Sequence, residues 1–171
     1  MKKLSLLLSI LIITSCNSPV EPNEKKGGYM KTGDATYDLS IGDQSAVEIW
    51  DQFLEAHNNQ DMDAIMAMES EDIKIWGPDG NVIEGKEAHK EFLTQWFESA
   101  NPKWNSYFSI PIKVNWENQP GTWVTNGHNL TLTVDGVEST SGNISDAYIE
   151  DGLVKMFYVF RRELPKPAET E

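Results

Sequence analysis

The feature that most limits the fold is an alternation of apolar and polar residues that fills the C-terminal half and is cut twice by Asp-Gly. Phe108, Ile110, Ile112, Val114 and Trp116 alternate with mostly polar residues, and Val124, Leu130, Leu132 and Val134 do so after the Asn118-Gln119-Pro120-Gly121 turn. A period of two belongs to an extended strand with one buried face. Asp135-Gly136 and Asp151-Gly152 are strong two-residue hairpin turns, so strands near 122–134, 137–149 and 153–162 are expected as an antiparallel meander. Pro111 suggests an edge or a bulge in the strand before them. The final strand is apolar on both parities, with Val154, Met156, Tyr158 and Phe160 on one face and Leu153, Phe157 and Val159 on the other. Both faces must be covered.

Three amphipathic helices are available to cover one of them. Ser45 and Glu48 have capping-box spacing, and Val47, Trp50, Leu54 and His57 then recur every three or four residues. Asp61 can cap a shorter helix through Met68, with Asn58-Asn59-Gln60 as the break. Residues 72–76 read as a strand that Pro78-Asp79-Gly80 turns back through 81–84. Gly85 opens a third helix, on which Ala88, Phe92, Trp96 and Ala100 share one stripe and His89, Leu93 and Phe97 the next, until Asn101-Pro102 ends it. The other sheet face is left open unless a second copy packs on it, so a homodimer through the outer sheet face is expected.

The N-terminus reads as an address. Met1 to Cys16 is MKKLSLLLSILIITSC: two Lys, a short apolar core of about 10 residues, where roughly 20 are needed to cross a bilayer, then small residues ending at the single Cys. Ile13-Thr14-Ser15-Cys16 resembles the lipobox of bacterial lipoproteins, in which the Cys is acylated. An ordinary secretory signal with an incidental Cys is the alternative. The expected organisation is a signal peptide over 1–15, lipidated Cys16 and a flexible linker over 16–42, one domain over 43–164 and a disordered tail over 165–171. The expected location is the bacterial cell envelope, with membrane attachment by the lipid anchor alone.

Charge narrows the chemistry. The chain carries 27 acidic against 14 basic side chains, and loss of Lys2 and Lys3 leaves 12 basic residues and a net charge of −15. No Lys/Arg cluster is present to hold a phosphate backbone, so nucleic acid is excluded as a partner. One Cys and three His exclude disulfide frameworks and Cys zinc sites. The three His show no HxxxH or HxH pairing, so no metal site and no cofactor is expected.

Helix, helix, hairpin, helix and a long curved meander together resemble the nuclear transport factor 2-like fold, and the sequence is similar to its SnoaL-like branch. The segments that carry the resemblance are Asp61-Met62-Asp63-Ala64 with Asp72-Ile73, Pro78-Asp79-Gly80 through Gly85-Lys86-Glu87-Ala88, and Tyr148-Ile149-Glu150-Asp151-Gly152-Leu153-Val154. The likeness covers about residues 43–163. It implies an α+β fold in which three N-terminal helices pack on a strongly curved antiparallel sheet, forming a cone with a pocket at its open end.

Counting strand parity as the family arranges it places Asn126, His128, Leu130, Leu132 and Val134 inward, then Asn143, Ser145 and Ala147, then Lys155, Phe157, Val159 and Arg161. With Trp76 and His89 they imply an apolar pocket holding a few polar groups. Steroid-isomerase members pair a carboxylate base with a Tyr and a protonated acid; the matching positions here are Trp76, Leu93 and Ser145, none of which carries that chemistry. His128 is the candidate acid or base, with a half-buried core His bonded to Asn126, Asn143 or Ser145 as the alternative. His57, at a helix end, reads as a cation on the C-terminal dipole. Two functions follow from different classes: a tethered module binding a small, mostly apolar molecule, or a SnoaL-like isomerase, cyclase or hydrolase using His128.

Overall fold

A computed structural model describes residues 26–164 except 118. The expected signal peptide over 1–15, Cys16 and the expected tail over 165–171 lie outside the described residues. Along the chain the elements are β1 (Gly28–Thr32), β2 (Ala35–Ile41), α1 (Gln44–Asn59), α2 (Met62–Met68), β3 (Glu69–Trp76), β4 (Val82–Glu84), α3 (Lys86–Ala100), β5 (Lys103–Val114), β6 (Thr122–Val134), β7 (Val137–Glu150) and β8 (Leu153–Glu163). They form one eight-stranded sheet in the order β1-β2-β5-β6-β7-β8-β3-β4. Among the described residues no helix is long and apolar enough to cross a membrane.

The N-terminal hairpin corrects the linker reading for residues 28–41. Thr32 pairs with Ala35 across Gly33-Asp34, and Gly33 has φ 56°, the left-handed value that a two-residue hairpin asks of its first central position. β2 then adds to β5 through Leu39–Val114 and Ile41–Ile112. Glycines and charges suggested a linker, but the backbone hydrogen bonds of a hairpin need no apolar periodicity to form. The helices therefore follow a first pair of strands instead of opening the domain.

Local signals fix most other boundaries. Asp43, not Ser45, caps α1, its carboxylate accepting from the Ser45 amide at 2.9 Å. Asp61 caps α2 through the Ala64 amide at 3.0 Å. Gln60 and Asn101 sit in the left-handed region at the ends of α1 and α3. Both Asp-Gly turns have two residues at positive φ, 51° and 79° for Asp135-Gly136 and 53° and 77° for Asp151-Gly152, which fixes β6–β7 and β7–β8 in register. β5 is not an edge, but β2 covers it only from Ile112 to Val114, so Pro111 lies where that neighbour has ended. Gly121 has a packing reason: a Cβ there would collide with the Ile149 carbonyl oxygen and lie 2.8 Å from the Tyr148 ring.

The three helices cover the concave face. α1 touches β5, β6, β7 and β8 together, so the sheet curls around it. Trp50 and Phe53 from α1, Ile65 from α2, Leu93 from α3, and Ile73, Val124 and Val154 from the sheet are all buried in one core. Each such side chain contributes about 1.5–3 kcal/mol by leaving water.

Two bulges break the simple parity count. β5 shifts register between Ser106 and Phe108, and β8 shifts between its pairings with Ile149 and Tyr148. At the second, Ile149 faces Val154 and Tyr148 faces Met156, so Lys155 is the extra residue. Val154 and Phe157 thereby both point into the core despite their odd spacing.

Candidate functional site

Between α1, α3 and the concave sheet lies a cavity of about 300 Å³. Trp50, Phe53, Leu54 and His57 line it from α1, and His89, Phe92, Leu93 and Trp96 from α3. The sheet contributes Ile75, Trp104, His128, Leu130, Leu132, Asn143, Ser145, Phe157 and Val159. The β3–β4 turn forms the rim with Gly77, Pro78, Asp79 and Asn81, and Arg161 stands opposite. Arg161 donates to the Asp79 carboxylate at 2.6 Å, so the two charges at the rim cancel each other. Large apolar walls with a few converging polar groups are the usual make-up of a small-molecule site.

All three imidazoles of the chain reach this cavity, each with its Nδ1 engaged. His57 Nδ1 donates to the Phe53 carbonyl at 2.7 Å, one helical turn back. His89 Nδ1 lies 2.6 Å from Glu69 Oε1, and both side chains are shut off from solvent, at 3% and 0% exposure. His128 Nδ1 lies 2.9 Å from Asn126 Oδ1. Burial pushes His57 from 6.5 down to about 3, with the neighbouring His89 adding to the shift and the Phe53 bond opposing it. Burial alone takes His128 from 6.5 to about 4. Both rings are therefore neutral at pH 7, and His57 is not a helix-end cation. Among the described residues no cluster of three or more His, Cys, Asp or Glu is arranged to hold a metal ion.

The sequence matches the SnoaL-like domain profile over residues 50–108. Among solved structures, an LEH-like epoxide hydrolase of M. tuberculosis superposes with a TM-score of 0.59 at 14% identity, covering 68% of this chain and 82% of its own. A second M. tuberculosis protein, in complex with estradiol-17β-hemisuccinate, gives 0.57 at 18% identity over 67% and 92%. An NTF2-like protein of unknown function from Cytophaga hutchinsonii gives 0.52 at 16% identity over 78% and 95%. The fold is nuclear transport factor 2-like. No curated protein sequence matches the chain.

Within this nuclear transport factor 2-like cone, His89, His128, Leu130, Leu132, Asn143, Ser145, Phe157, Val159 and Arg161 come together. Five expected liners do not. Trp76 faces the convex side, stacked on Tyr158 at 4.3 Å between ring centres, because Ile75 takes the inward position on β3. Lys155 is displaced by the β8 bulge. Asn126 is fully buried behind His128, where its amide nitrogen donates to the Phe108 carbonyl at 3.0 Å and its oxygen faces the imidazole. Ala147 is core, and Val134 is half exposed at the hairpin end. Glu69 was missed altogether. It sits in the acidic run Glu69-Ser70-Glu71-Asp72, ahead of the strand read over 72–76, although it shares the parity of the buried Ile73 and Ile75. Leu93 and Ser145 line the cavity at two of the isomerase positions and supply neither a phenol nor an acid.

Proposed function

We propose that this chain binds a small, mostly apolar molecule in its cone cavity, as a lipoprotein tethered to the bacterial cell envelope. The observation that carries the binding reading is the cavity itself: about 300 Å³, walled by aromatic and aliphatic side chains, with imidazoles held in place from behind. The complex of one fold neighbour with estradiol-17β-hemisuccinate supports it, since a protein of the same fold binds a ligand with a large apolar body. A thermal-shift screen of small apolar compounds tests it, since a ligand at a hundred times its Kd stabilises by about 2.7 kcal/mol. Leu132→Trp, which fills the cavity from β6, is expected to abolish the shifts while the free protein still unfolds cooperatively. Shifts that survive the substitution place binding elsewhere.

The tether rests on Met1–Cys16. Metabolic labelling with a fatty acid is expected to mark the wild-type chain and not Cys16→Ala, and an unlabelled wild type ends the proposal.

We further propose a homodimer through the convex sheet face. Trp76, Tyr158 and Trp123 stack along it, and beside them Phe108, Ile110 and Phe160 remain 37%, 51% and 57% exposed. An apolar patch of this kind seeks a partner. Sedimentation as a dimer at micromolar concentration is the expected result; a monomer there counts against it.

An enzymatic reading survives in altered form. His128, held neutral down to about pH 4, is a weak base at neutral pH. The carboxylate-backed His89 is the better placed acid–base group, because Glu69 orients its ring and balances charge on it. Mass spectrometry of the compounds that stabilise the protein separates the two readings, since unchanged compounds leave binding alone.

A further inference from the structure

Two imidazoles of the cavity have a hydrogen-bonding direction that its volume and apolar lining do not reveal, while Trp50 Nε1, without a partner among the described residues, adds a donor to the same lining. A carbonyl oxygen only accepts, so the hydrogen in the His57–Phe53 bond sits on Nδ1 and the neutral ring keeps a lone pair on Nε2. The same reasoning runs one step further at His128. Asn126 Nδ2 meets the Phe108 carbonyl at 3.0 Å and must be the donor there, which fixes the amide orientation and makes Oδ1 the acceptor facing His128. His128 Nδ1 therefore carries the hydrogen, and its Nε2 is again a lone pair. At the rim Arg161 pairs with Asp79 and also lies 3.6 Å from Glu163, and behind the wall Glu69 is paired with His89.

We propose that the cavity selects a neutral hydrogen-bond donor: a small apolar body carrying hydroxyl groups, a phenol or an alcohol, held by the Nε2 lone pairs of His57 and His128. This rests on the cavity being a ligand site, as proposed above. An ether of the same shape leaves those nitrogens buried and unpaired. A carboxylate has no proton to give to either nitrogen, and pairing with His128 requires that ring protonated, which at pH 7 and a pKa near 4 is disfavoured about a thousandfold. An ammonium group finds the carboxylates next to the cavity already engaged by His89 and Arg161, and must compete for them to replace its hydration.

Isothermal titration calorimetry of the full chain at pH 7 with 4-ethylphenol, 4-ethylanisole, 4-ethylbenzoate and 4-ethylbenzylamine tests this. The phenol is expected to bind at least about tenfold tighter than its methyl ether and tightest of the four. In His128→Phe, and independently in His57→Phe, the phenol-to-ether ratio should fall toward unity; a ratio measured within one variant does not depend on that variant's stability. The wild-type ranking decides by itself if a variant fails to fold. An ether that binds as tightly as the phenol, or a benzoate or amine that binds tightest, overturns the donor rule and leaves the cavity as a ligand site. Binding of none of the four overturns the cavity reading together with it.

Discussion

Replacing His89 by leucine will lower the free energy of unfolding by about 3–5 kcal/mol at neutral pH. The cause is Glu69. Its carboxyl group is fully shut off from solvent, one oxygen meets His89 Nδ1 at 2.6 Å, and the other has no hydrogen-bond partner among the described residues. Removing the imidazole leaves that carboxyl buried with no hydrogen-bond partner to answer its lost hydration. Glu69→Leu combined with His89→Leu should recover most of the loss, because two apolar side chains of similar volume carry no desolvation cost. Urea unfolding of the wild type, both single variants and the double variant, followed by Trp fluorescence, closes the cycle. A His89→Leu variant within about 1 kcal/mol of wild type would mean that the pair contributes no more than an exposed ion pair. The same cycle bears on function: a double variant that is stable but loses the ligand response would assign His89 to the cavity's chemistry as well as to its architecture.

Acidification from pH 7.5 to 5 will cost the fold about 4 kcal/mol through His57 and His128. Both rings bind a proton more weakly folded than unfolded, with 6.5 falling to about 3 and about 4. Below pH 6.5 the unfolded chain therefore takes up protons that the folded chain refuses, and stability decreases as pH falls toward the folded values. Each imidazole accounts for about 2 kcal/mol at pH 5, since one pKa unit is worth about 1.4 kcal/mol. Their contribution is fully present above pH 6.5. His57→Phe should remove about half of this pH dependence: it abolishes the titration while keeping a ring packed among Phe53, Phe97 and Trp104. Denaturant midpoints that stay level between pH 7.5 and 5 would show that these rings charge without hindrance, contradicting their burial.

Both predictions concern groups that the sequence marked unequally. His128 was placed by parity alone: the Asp135-Gly136 turn fixes the register of β6, and counting back by twos from it reaches Leu132, Leu130 and His128 on the concave face. His89 was placed on a wall by its stripe with Leu93 and Phe97. Glu69 shares the parity of the buried Ile73 and Ile75, but four acidic or hydroxyl residues in a row look solvated, and the strand reading begins only at residue 72. Trp76 and Lys155 were misplaced because a single residue of slip moves a side chain to the opposite face.

The sequence by itself determined the elements that depend on neighbours a few residues away: three helices with their ends, two tight hairpin turns, and the alternation that gives the meander a concave apolar side. These are local because capping, turn conformation and periodicity are settled within a few residues. Only the tertiary structure decided which polar groups meet. The bulges at Tyr107 and Lys155, the addition of the β1–β2 hairpin to β5, and the approach of Glu69 to His89 across 20 residues all depend on pairings between distant segments. Whether a buried imidazole gives or accepts a hydrogen is set by the partner that arrives at its other nitrogen. In this chain Glu69 reaches its ring from 20 residues away, and Asn126, two residues from His128 on the same strand, is oriented by the Phe108 carbonyl of the neighbouring strand.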